Sequence, residues 1–429
     1  MKKVRIGDLF ELEKGSLQSS KCTAGKYDFI TASKEWKTHN DYSHDTEALI
    51  FAAMASGSLG RIHYVNGKFI TSDLCYILTP KDSEKYPINL EFYHFVFNSL
   101  RDEIVKNTKS GTSKESINQT NLKKYEIPYF DIAQQNIWIE RLLQTKLIKE
   151  DLEEGIQTQQ QLLKKLRQSI LQEAIEGKLT SEWREQNSDV ERASVLLEKI
   201  KQEKEQLIKE KKIKKQKPLP PINEDEVPFE IPESWVWCRL GDTGIFERGK
   251  SKHRPRNDYI LFKDGIYPFV QTGDVAQSKY HNYKINTFNK KYNEFGLSQS
   301  RLWKKGTFCI TIAANIAETG FLDIDACFPD SVVGFNSIDI HIPKYIQYFF
   351  IISKEEIEKY APATAQKNIN LGIINELIFP LPPLSEMVEI VKKIESLFAL
   401  CDKLEIEIQS SKKSSEQLIQ AVLKEAFEK

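Results

Sequence analysis

The chain has 429 residues, 40% hydrophobic and 10% aromatic, so it can fill the cores of two or three domains and is not a disordered chain. Its 61 basic and 61 acidic residues cancel, so bulk charge does not mark a nucleic-acid binder and any such surface must be local. Six cysteines without CxxC spacing exclude a disulfide framework and a paired-cysteine zinc site, and they indicate reduced intracellular thiols.

The sequence carries no targeting or membrane signal. The first residues, MKKVRIGDLFELEKG, are charged without an apolar stretch behind them, so we expect no signal peptide. No apolar run approaches the ~18 residues of a membrane helix, and residues 345–352 are predicted to be a short buried element. We therefore expect a soluble, cytoplasmic, multidomain protein without membrane association.

The two halves of the chain repeat one another, and such a repeat governs how the fold is built. Near the start of each half, residues 5–8 (RIGD) match residues 239–242 (RLGD) at a shift of 234, as do Gly15 and Gly249. Further on a shift of 252 holds without a gap, in pairs such as Asn118/Asn370, Pro128/Pro380, Leu171/Leu423 and Ala174/Ala426. Matching ends around unmatched middles predict a shared frame that carries two differently specialised inserts.

In chain order, the first insert has short apolar runs at 48–53 and 69–78, which predict strands. A heptad pattern then predicts a first long helix over 132–178, with a capping box formed by Asp131 and Gln134. Residues 179–232 follow as a charged helix and an extended linker. Nine lysines and three glutamates occupy 199–217. We interpret these lysines as a solvated face, and phosphate binding is the alternative.

The second insert repeats the strand signals at 307–312 and 332–342. Two prolines at 382–383 end its last strand, and Ser385 is a candidate N-cap for a second long helix over 384–429. The apolar a and d positions of this helix are in phase, at a shift of 252, with those of the first. Two such helices most economically pack on each other, as a rod of roughly 60 Å; the alternative is that each helix caps its own domain.

The stretch from Gly244 to Ser251 matches the phosphate-binding pattern GxxxxGK[ST]. Such a loop works between a buried strand and a helix, but here Pro255 stands where the helix should grow, so we expect no nucleotide binding. We find no [DN]-P-P-[YF] methyltransferase motif, no complete nuclease motif, no histidines at metal-ligand spacing and no nucleophile elbow. We therefore predict no catalytic residue, no metal site and no cofactor.

A basic loop remains as the candidate binding surface. Residues 248–256 hold five arginines or lysines and no acid, and such a loop can offer charge to phosphates and forked donors to guanine edges. Its counterpart at 14–21 is polar and falls at the same place in the repeat. By charge and loop position, the candidate DNA-binding residues are Lys14, Ser16, Gln18, Lys21, Arg61, Lys114, Arg248, Lys250, Lys252, Arg254, Arg256, Gln271 and Lys367.

Five stretches of the chain resemble the specificity subunits of type I restriction–modification systems, and the resemblance covers both halves. They are LRQSILQEAIEGKL (166–179), ASVLLEKI (193–200), IPESWVWCRLGD (231–242), YPFVQTGDV (267–275) and TAQKNINLGIINELIFPLPPLSEMVEIVKKIESLF (364–398). The first half departs from the pattern at residues 130–132, where Phe-Asp-Ile replaces Pro-Pro-Leu. This departure puts in doubt only the start of the first long helix.

The resemblance implies an α+β protein with two pseudo-symmetric target-recognition domains separated by an antiparallel coiled coil of two long helices. Each domain would read half of a split, asymmetric site in double-stranded DNA. Methyltransferase (modification) subunits would dock on this frame and carry the S-adenosylmethionine chemistry, and motor and nuclease subunits would join for restriction. The alternatives are a stand-alone DNA adenine methyltransferase or nucleotide-dependent DNA enzyme, and a coiled-coil scaffold that binds protein only.

We accordingly divide the chain into five parts. They are a first recognition domain (1–131), a first spacer helix (132–178), a charged helix and linker (179–232), a second recognition domain (233–383) and a second spacer helix (384–429).

Overall fold

The computed structural model of the chain describes residues 2–54, 57–111, 115–360 and 368–428. The chain forms two compact units, the first made of Met1–Gln160 with Ile406–Lys429 and the second of Gln161–Glu405. Both boundaries fall inside long helices, so each unit contains a part of each helix. The fold is a mixture of helix and sheet in both units.

The strands and helices follow in chain order. The first part contains β1 (Lys2–Arg5), α1 (Ile6–Leu9), β2 (Phe10–Lys14), β3 (Tyr27–Ile30), β4 (Lys37–His39), β5 (His44–Ala52), β6 (Ile62–Thr71), β7 (Cys75–Pro80), α2 (Leu90–Ser99), α3 (Arg101–Thr108), β8 (Lys109–Ser110), β9 (Ser116–Ile117), α4 (Gln119–Lys124), β10 (Glu126–Tyr129) and α5 (Ile132–Ile175). Two helices follow, α6 (Ser181–Gln186) and α7 (Ala193–Lys209). The second part contains β11 (Val236–Arg239), β12 (Ile245–Arg248), β13 (Tyr267–Phe269), α8 (Thr272–Gln277), β14 (Lys284–Ile285), β15 (Lys290–Tyr292), α9 (Glu294–Ser298), β16 (Leu302–Trp303), β17 (Phe308–Thr311), β18 (Thr319–Leu322), β19 (Ala326–Cys327), β20 (Val332–Asn336), α10 (His341–Lys359), α11 (Leu371–Glu376), β21 (Ile378–Leu381) and α12 (Leu384–Glu428).

The repeated frame is built in the same way in both units. In the first, β1 pairs antiparallel with β10, and in the second β11 pairs antiparallel with β21. A buried tyrosine closes each pair, since the Tyr93 hydroxyl donates to the carbonyl of Pro128 and the Tyr345 hydroxyl donates to that of Pro380, both at 3.2 Å. These two hydrogen bonds are related by the shift of 252 found in the sequence, which confirms the internal repeat at the level of single contacts.

The inserts share a sheet even though their sequences do not match. The first unit has a six-stranded sheet of order β2-β7-β5-β6-β3-β4, and the second has a five-stranded sheet of order β12-β20-β17-β18-β14. In both, the first four strands are antiparallel and the fifth joins them in parallel. The second unit adds a four-stranded sheet, β15-β13-β19-β16, of which β13, β15 and β16 lie between β12 and β17 in the chain and β19 lies between β18 and β20. The second insert therefore contains an additional sheet besides the one that the two inserts share.

The apolar run predicted as a strand at 48–53 forms the second part of β5, up to Ala52, and this part of the strand is buried on both faces. Leu49 and Phe51 belong to one core cluster, and Ala48 and Ile50 belong to another. A strand between two cores reads as a continuous apolar run because neither face meets water. The predicted strand over 69–78 was wrong, since a turn at 72–74 separates β6 from β7 and the Cys75 amide donates to the Ser72 carbonyl.

The two long helices bury a narrower seam than a full heptad pattern predicts. In α5 the buried positions of the middle part are Ile156, Leu163 and Ile170, one in every seven residues. The second apolar row is exposed, with Leu152 at 39% and Leu166 at 46%. The Asp131–Gln134 capping box is present at the start of α5. The proposed cap of α12 at Ser385 was wrong, because the helix already begins at Leu384. The Met387 amide donates to the Pro383 carbonyl at 2.8 Å, so the helical hydrogen bonds start before Ser385.

Within the second unit, the end of α5 and the start of α12 run in opposite directions. Arg167 forms an ion pair of 2.5 Å with Asp402, and further along the Thr180 hydroxyl donates to Glu386 at 2.8 Å. In the first unit, Leu142 of α5 and Leu423 of α12 lie in one core cluster. Among the described residues, no helix is both long enough and apolar enough to cross a membrane.

Candidate nucleic-acid interface

Two loops leave the frame at equivalent places, each at the end of an edge strand. The first follows β2 and the second follows β12, and each begins with a glycine whose amide donates to a backbone carbonyl, Gly15 to Cys75 at 3.0 Å and Gly249 to Val332 at 2.9 Å. A Cβ on Gly15 would lie 2.1 Å from the Ser72 carbonyl oxygen, and one on Gly249 would lie 2.3 Å from that of Phe328. Only glycine permits this close backbone approach, so each loop starts from a fixed backbone position that is equivalent in the two units.

The second loop, which we call the basic loop (residues 248–256), is held by its backbone. The Lys252 amide donates to the Gln299 carbonyl at 3.1 Å, and the Ser300 hydroxyl donates to the Lys250 carbonyl at 2.8 Å. The imidazole of His253 lies 2.8 Å from the carboxylate of Asp258 and lowers the pKa of that carboxyl. The loop is therefore pre-organised, which reduces the entropy lost when a ligand binds.

The cations of the basic loop fall into two groups. Its arginines are braced: Arg248 donates to the Asp330 carbonyl at 2.7 Å, Arg256 pairs with the Asp330 carboxylate at 2.7 Å, and Arg254 donates to two carbonyls of the loop. A guanidinium has five N–H donors, so each arginine keeps some free. Lys250 and Lys252 are exposed and make no ion pair within the part of the chain that the structure describes.

The first loop, residues 14–21, is polar instead of basic. The amides of Ser16 and Leu17 donate to the Thr71 carbonyl at 3.1 and 3.2 Å, which fixes the loop against the turn after β6. The side chains of Lys14, Ser16, Gln18 and Lys21 are exposed, and among the described residues none of them makes a side-chain hydrogen bond. Four of the predicted residues thus stand together on one loop with their polar groups free.

The remaining predicted residues lie elsewhere. Arg61 is half-buried, and its guanidinium donates to the Ala32 carbonyl at 2.8 Å and to the Ser58 hydroxyl at 3.2 Å. Gln271 precedes α8, where its backbone amide donates to the Asp274 carboxylate at 2.8 Å and its backbone carbonyl accepts from the Asp274 amide at 3.0 Å. Lys114 and Lys367 lie outside the described residues.

Two exposed apolar side chains follow the basic loop, and charge and loop position do not predict them. Tyr259 is 72% exposed and Ile260 is 53% exposed, on a turn whose Ile260 carbonyl accepts a 2.9 Å hydrogen bond from Asn293. In the first unit, Trp36 is 40% exposed on the loop between β3 and β4. The sequence pattern that could have predicted them is an apolar residue at a turn in a basic stretch. Such side chains can contact thymine methyl groups or unstacked bases.

The stretch that resembles a phosphate-binding loop has another structure. Its residues 245–248 form strand β12, and a loop instead of a helix follows. The amides of Gly249 and Lys250 donate to the carbonyls of Val332 and Phe328, so they are not free to bind phosphate. This geometry is the opposite of a P-loop, in which consecutive free amides face the ligand.

A family model described as the type I restriction modification DNA specificity domain matches residues 1–163 and 232–411. The match covers most of the chain, and the chain belongs to this family. It is 29% identical over 269 residues to the type I restriction enzyme EcoEI specificity subunit of Escherichia coli, covering 60% of this chain and 44% of that protein. It is 30% identical over 282 residues to the EcoAI specificity subunit of E. coli, covering 60% and 43%. The matched region thus spans less than half the length of these two relatives.

A longer match is to the EcoDI specificity subunit of E. coli, at 24% identity over 431 residues, covering 99% of this chain and 87% of that protein. Among solved structures, the HsdS subunit from Thermoanaerobacter tengcongensis aligns with a TM-score of 0.56 at 16% identity, covering 99% of this chain and 96% of that one. A chain from a structural study of complex assembly and conformational transition of the type I R-M system aligns with a TM-score of 0.63 at 14% identity, covering 99% and 97%. At these identities the likeness establishes the fold.

Proposed function

We propose that this chain is the sequence-specific, non-catalytic DNA-binding subunit of a type I restriction–modification complex. The observation that carries the proposal is the pair of loops that start from equivalent glycines in the two units, each with exposed polar or cationic side chains on a fixed backbone. Hydrogen-bonding groups held on a rigid loop are what reading base edges requires. The curated relatives are named specificity subunits of type I restriction enzymes, which agrees with this role.

The two loops are expected to read different half-sites of a split, asymmetric site. The first offers mainly hydroxyl, amide and amine groups, and the second offers three arginines and two lysines. Arginine pairs best with guanine, and glutamine pairs best with adenine, so the two surfaces favour different bases. We assign the first half-site to the recognition domain at 1–131 and the second half-site to the domain at 233–383.

We infer that the two spacer helices, 132–178 and 384–429, form an antiparallel coiled coil that sets the distance between the half-sites. The opposite direction of the helix ends in the second unit and the seven-residue spacing of Ile156, Leu163 and Ile170 support this arrangement. The segment at 179–232 then returns the chain to the second recognition domain.

The proposed partners are modification subunits, which carry the methyltransferase activity, and restriction subunits, which carry the motor and nuclease activities. In the second unit, Leu162, Leu166, Leu400 and Leu404 are 58%, 46%, 54% and 46% exposed on the two long helices. A row of exposed leucines is typical of a helix face that another protein covers. We expect the modification subunit to cover this row.

The basic loop gives the most direct test of the proposal. The double change Arg254→Ala with Arg256→Ala, in the complex with the modification subunit, should weaken binding by about 1–3 kcal/mol and relax base preference at one half-site. The double change Ser16→Ala with Gln18→Ala is the matched control, because it should affect the other half-site only. Methylation-site sequencing would report both preferences. Unchanged affinity at several salt concentrations would remove the basic loop from the interface.

Purification of the chain alone tests the alternatives. The isolated chain should neither methylate DNA nor hydrolyse ATP, and with its modification subunit it should direct methylation to one split site. Specific S-adenosylmethionine or ATP binding by the pure chain would favour a stand-alone enzyme. Absence of any salt-dependent shift of DNA would favour a scaffold that binds protein only.

A further inference from the structure

A run of lysines at residues 211–217, which we call the basic strap, follows helix α7 in the second unit. The helix ends at Lys209, and the amides of Lys211 and Lys212 turn back onto the carbonyls of Ile208 and Leu207. Lys211 has a φ of 56°, a left-handed conformation for which glycine or asparagine is the favoured residue. The chain thus reverses sharply at a lysine and continues without regular secondary structure to residue 223.

The strap is fixed on both sides to one turn of the recognition domain. Before it, the ammonium group of Lys204 donates to the Gly241 carbonyl at 2.8 Å. After it, the buried guanidinium of Arg239 donates to the carbonyls of Pro220 and Pro221 at 3.1 and 2.9 Å. The Arg239 side chain also pairs with Glu226 at 3.0 Å. These contacts hold the strap against the domain instead of leaving it as a free linker.

The strap concentrates positive charge without compensation. It contains five lysines and no acid, all exposed, in a chain whose net charge is zero. Only Lys212 forms an ion pair, to Glu210 at 2.8 Å, within the part of the chain that the structure describes. Earlier lysines on α7 differ, since Lys199 pairs with Glu191 at 2.7 Å and Lys201 pairs with Glu198 at 3.8 Å. Favourable interaction with the C-terminal end of α7 can account for the first two lysines of the strap, but the three lysines that follow lie beyond the last helical turn.

We propose that the basic strap binds the phosphate backbone of duplex DNA outside the two half-sites, without regard to sequence. Lysine is a point charge that suits phosphate, whereas arginine carries the forked donors that read guanine, and every cation of the strap is a lysine. Duplex DNA presents one negative charge per ~1.7 Å of helix axis, so closely spaced lysines release several counterions at once. Fixing both ends of the strap lowers the entropy lost on binding. The strap adds affinity to the complex and leaves base preference to the recognition loops.

The test uses the chain in complex with its modification subunit. The variant Lys214→Ala/Lys215→Ala/Lys217→Ala removes three charges and keeps the turn at Lys211 intact. The matched control is Lys178→Ala/Lys199→Ala/Lys201→Ala, in which three exposed lysines that already have acidic partners are removed. Binding would be measured by fluorescence anisotropy over a series of salt concentrations. Two duplexes would be compared, one that contains the sequence that the complex methylates and one that lacks this sequence.

Log affinity falls as log salt rises, and the strap variant should make this dependence less steep. The magnitude of the slope should decrease by about 0.9 for each phosphate contact that is lost, up to about 2.7 for three contacts. Both duplexes should lose affinity by the same factor, and the control should keep the slope of the unmodified complex. An unchanged slope would overturn the proposal, as would a loss confined to the duplex that carries the site. An unchanged slope with loss of the modification subunit would assign the strap to a protein contact. Because the duplex without the site tests the strap by itself, failure of site preference in the unmodified complex would count against the proposed function alone.

Discussion

Glu386 at the start of α12 ties three segments of the second unit together. Its side chain is fully buried, accepts hydrogen bonds of 2.8 Å from the Thr180 hydroxyl and from the Trp235 indole, and forms an ion pair with Arg184. Arg184 in turn donates to the Gly177 carbonyl at 2.8 Å. One carboxylate therefore joins the turn after α5, helix α6 and the segment that leads into β11.

The change Glu386→Ala should destabilise the second unit by about 3–5 kcal/mol, because it leaves the Arg184 guanidinium half-buried without its partner. In a unit of this size such a loss lowers Tm by roughly 6–20 °C. Glu386→Gln should cost less, since an amide oxygen can still accept from Trp235 or Thr180. Gln134→Ala, at the equivalent and exposed position of the first unit, is the comparison: it removes only the capping hydrogen bond from the Asp131 amide and should cost about 1 kcal/mol or less.

Differential scanning calorimetry of the three variants, together with urea titrations, would measure these differences. A loss within about 0.5 kcal/mol for Glu386→Ala, the usual range of a surface change, would refute the reasoning that this carboxylate joins the three segments.

Three further outcomes are expected. Gly249→Ala should displace the basic loop and impair reading of one half-site in methylation-site sequencing, whereas Gly273→Ala, where a Cβ meets nothing within 4 Å, should not. Burial lowers the pKa of His94 from 6.5 to about 4, so the unfolded chain takes up a proton first as pH falls and stability should decrease from pH 6.5 towards 4; urea titrations should show this dependence reduced in His94→Phe. Insertion of seven residues after both Thr158 and Ser410 keeps the heptad phase and adds about 10 Å to each helix. The methylated site should keep the sequences of its half-sites, and the spacer between them should lengthen by about three base pairs. An active insertion variant with the original spacer would mean that another element sets the distance.

The sequence could predict the frame because its signals are local. Glycines at fixed positions, the Asp131 cap and the heptad spacing each depend on neighbouring residues, and matching residues at a constant shift reported the duplication directly. The shared sheet of the two inserts escaped this comparison, since strand order depends on pairing between distant segments and many side-chain sets satisfy the same pairing. The turn between β6 and β7 escaped for a related reason: both strands are apolar, so residues 69–78 resembled a single one.

Single site residues were harder to predict, because charge and loop position do not report what a side chain already contacts. Arg61 and Arg248 are both predicted DNA-binding residues, yet the guanidinium group of each donates a hydrogen bond to a backbone carbonyl. Lys250 and Ser16 have free side chains, but nothing in their sequence neighbourhood distinguishes them from the braced residues. Such distinctions arise only when the carbonyls of distant strands are brought beside the loop.

Under the proposed function, the way in which the two loops are held would let one frame carry different specificities. Gly15 and Ser16 are fixed through backbone amides, and so are Gly249, Lys250 and Lys252. A backbone anchor survives substitution of the side chain beside it, so the exposed groups of each loop can change while its position stays constant. Changes of specificity in this chain should therefore need few compensating mutations in the core, provided that the two glycines remain.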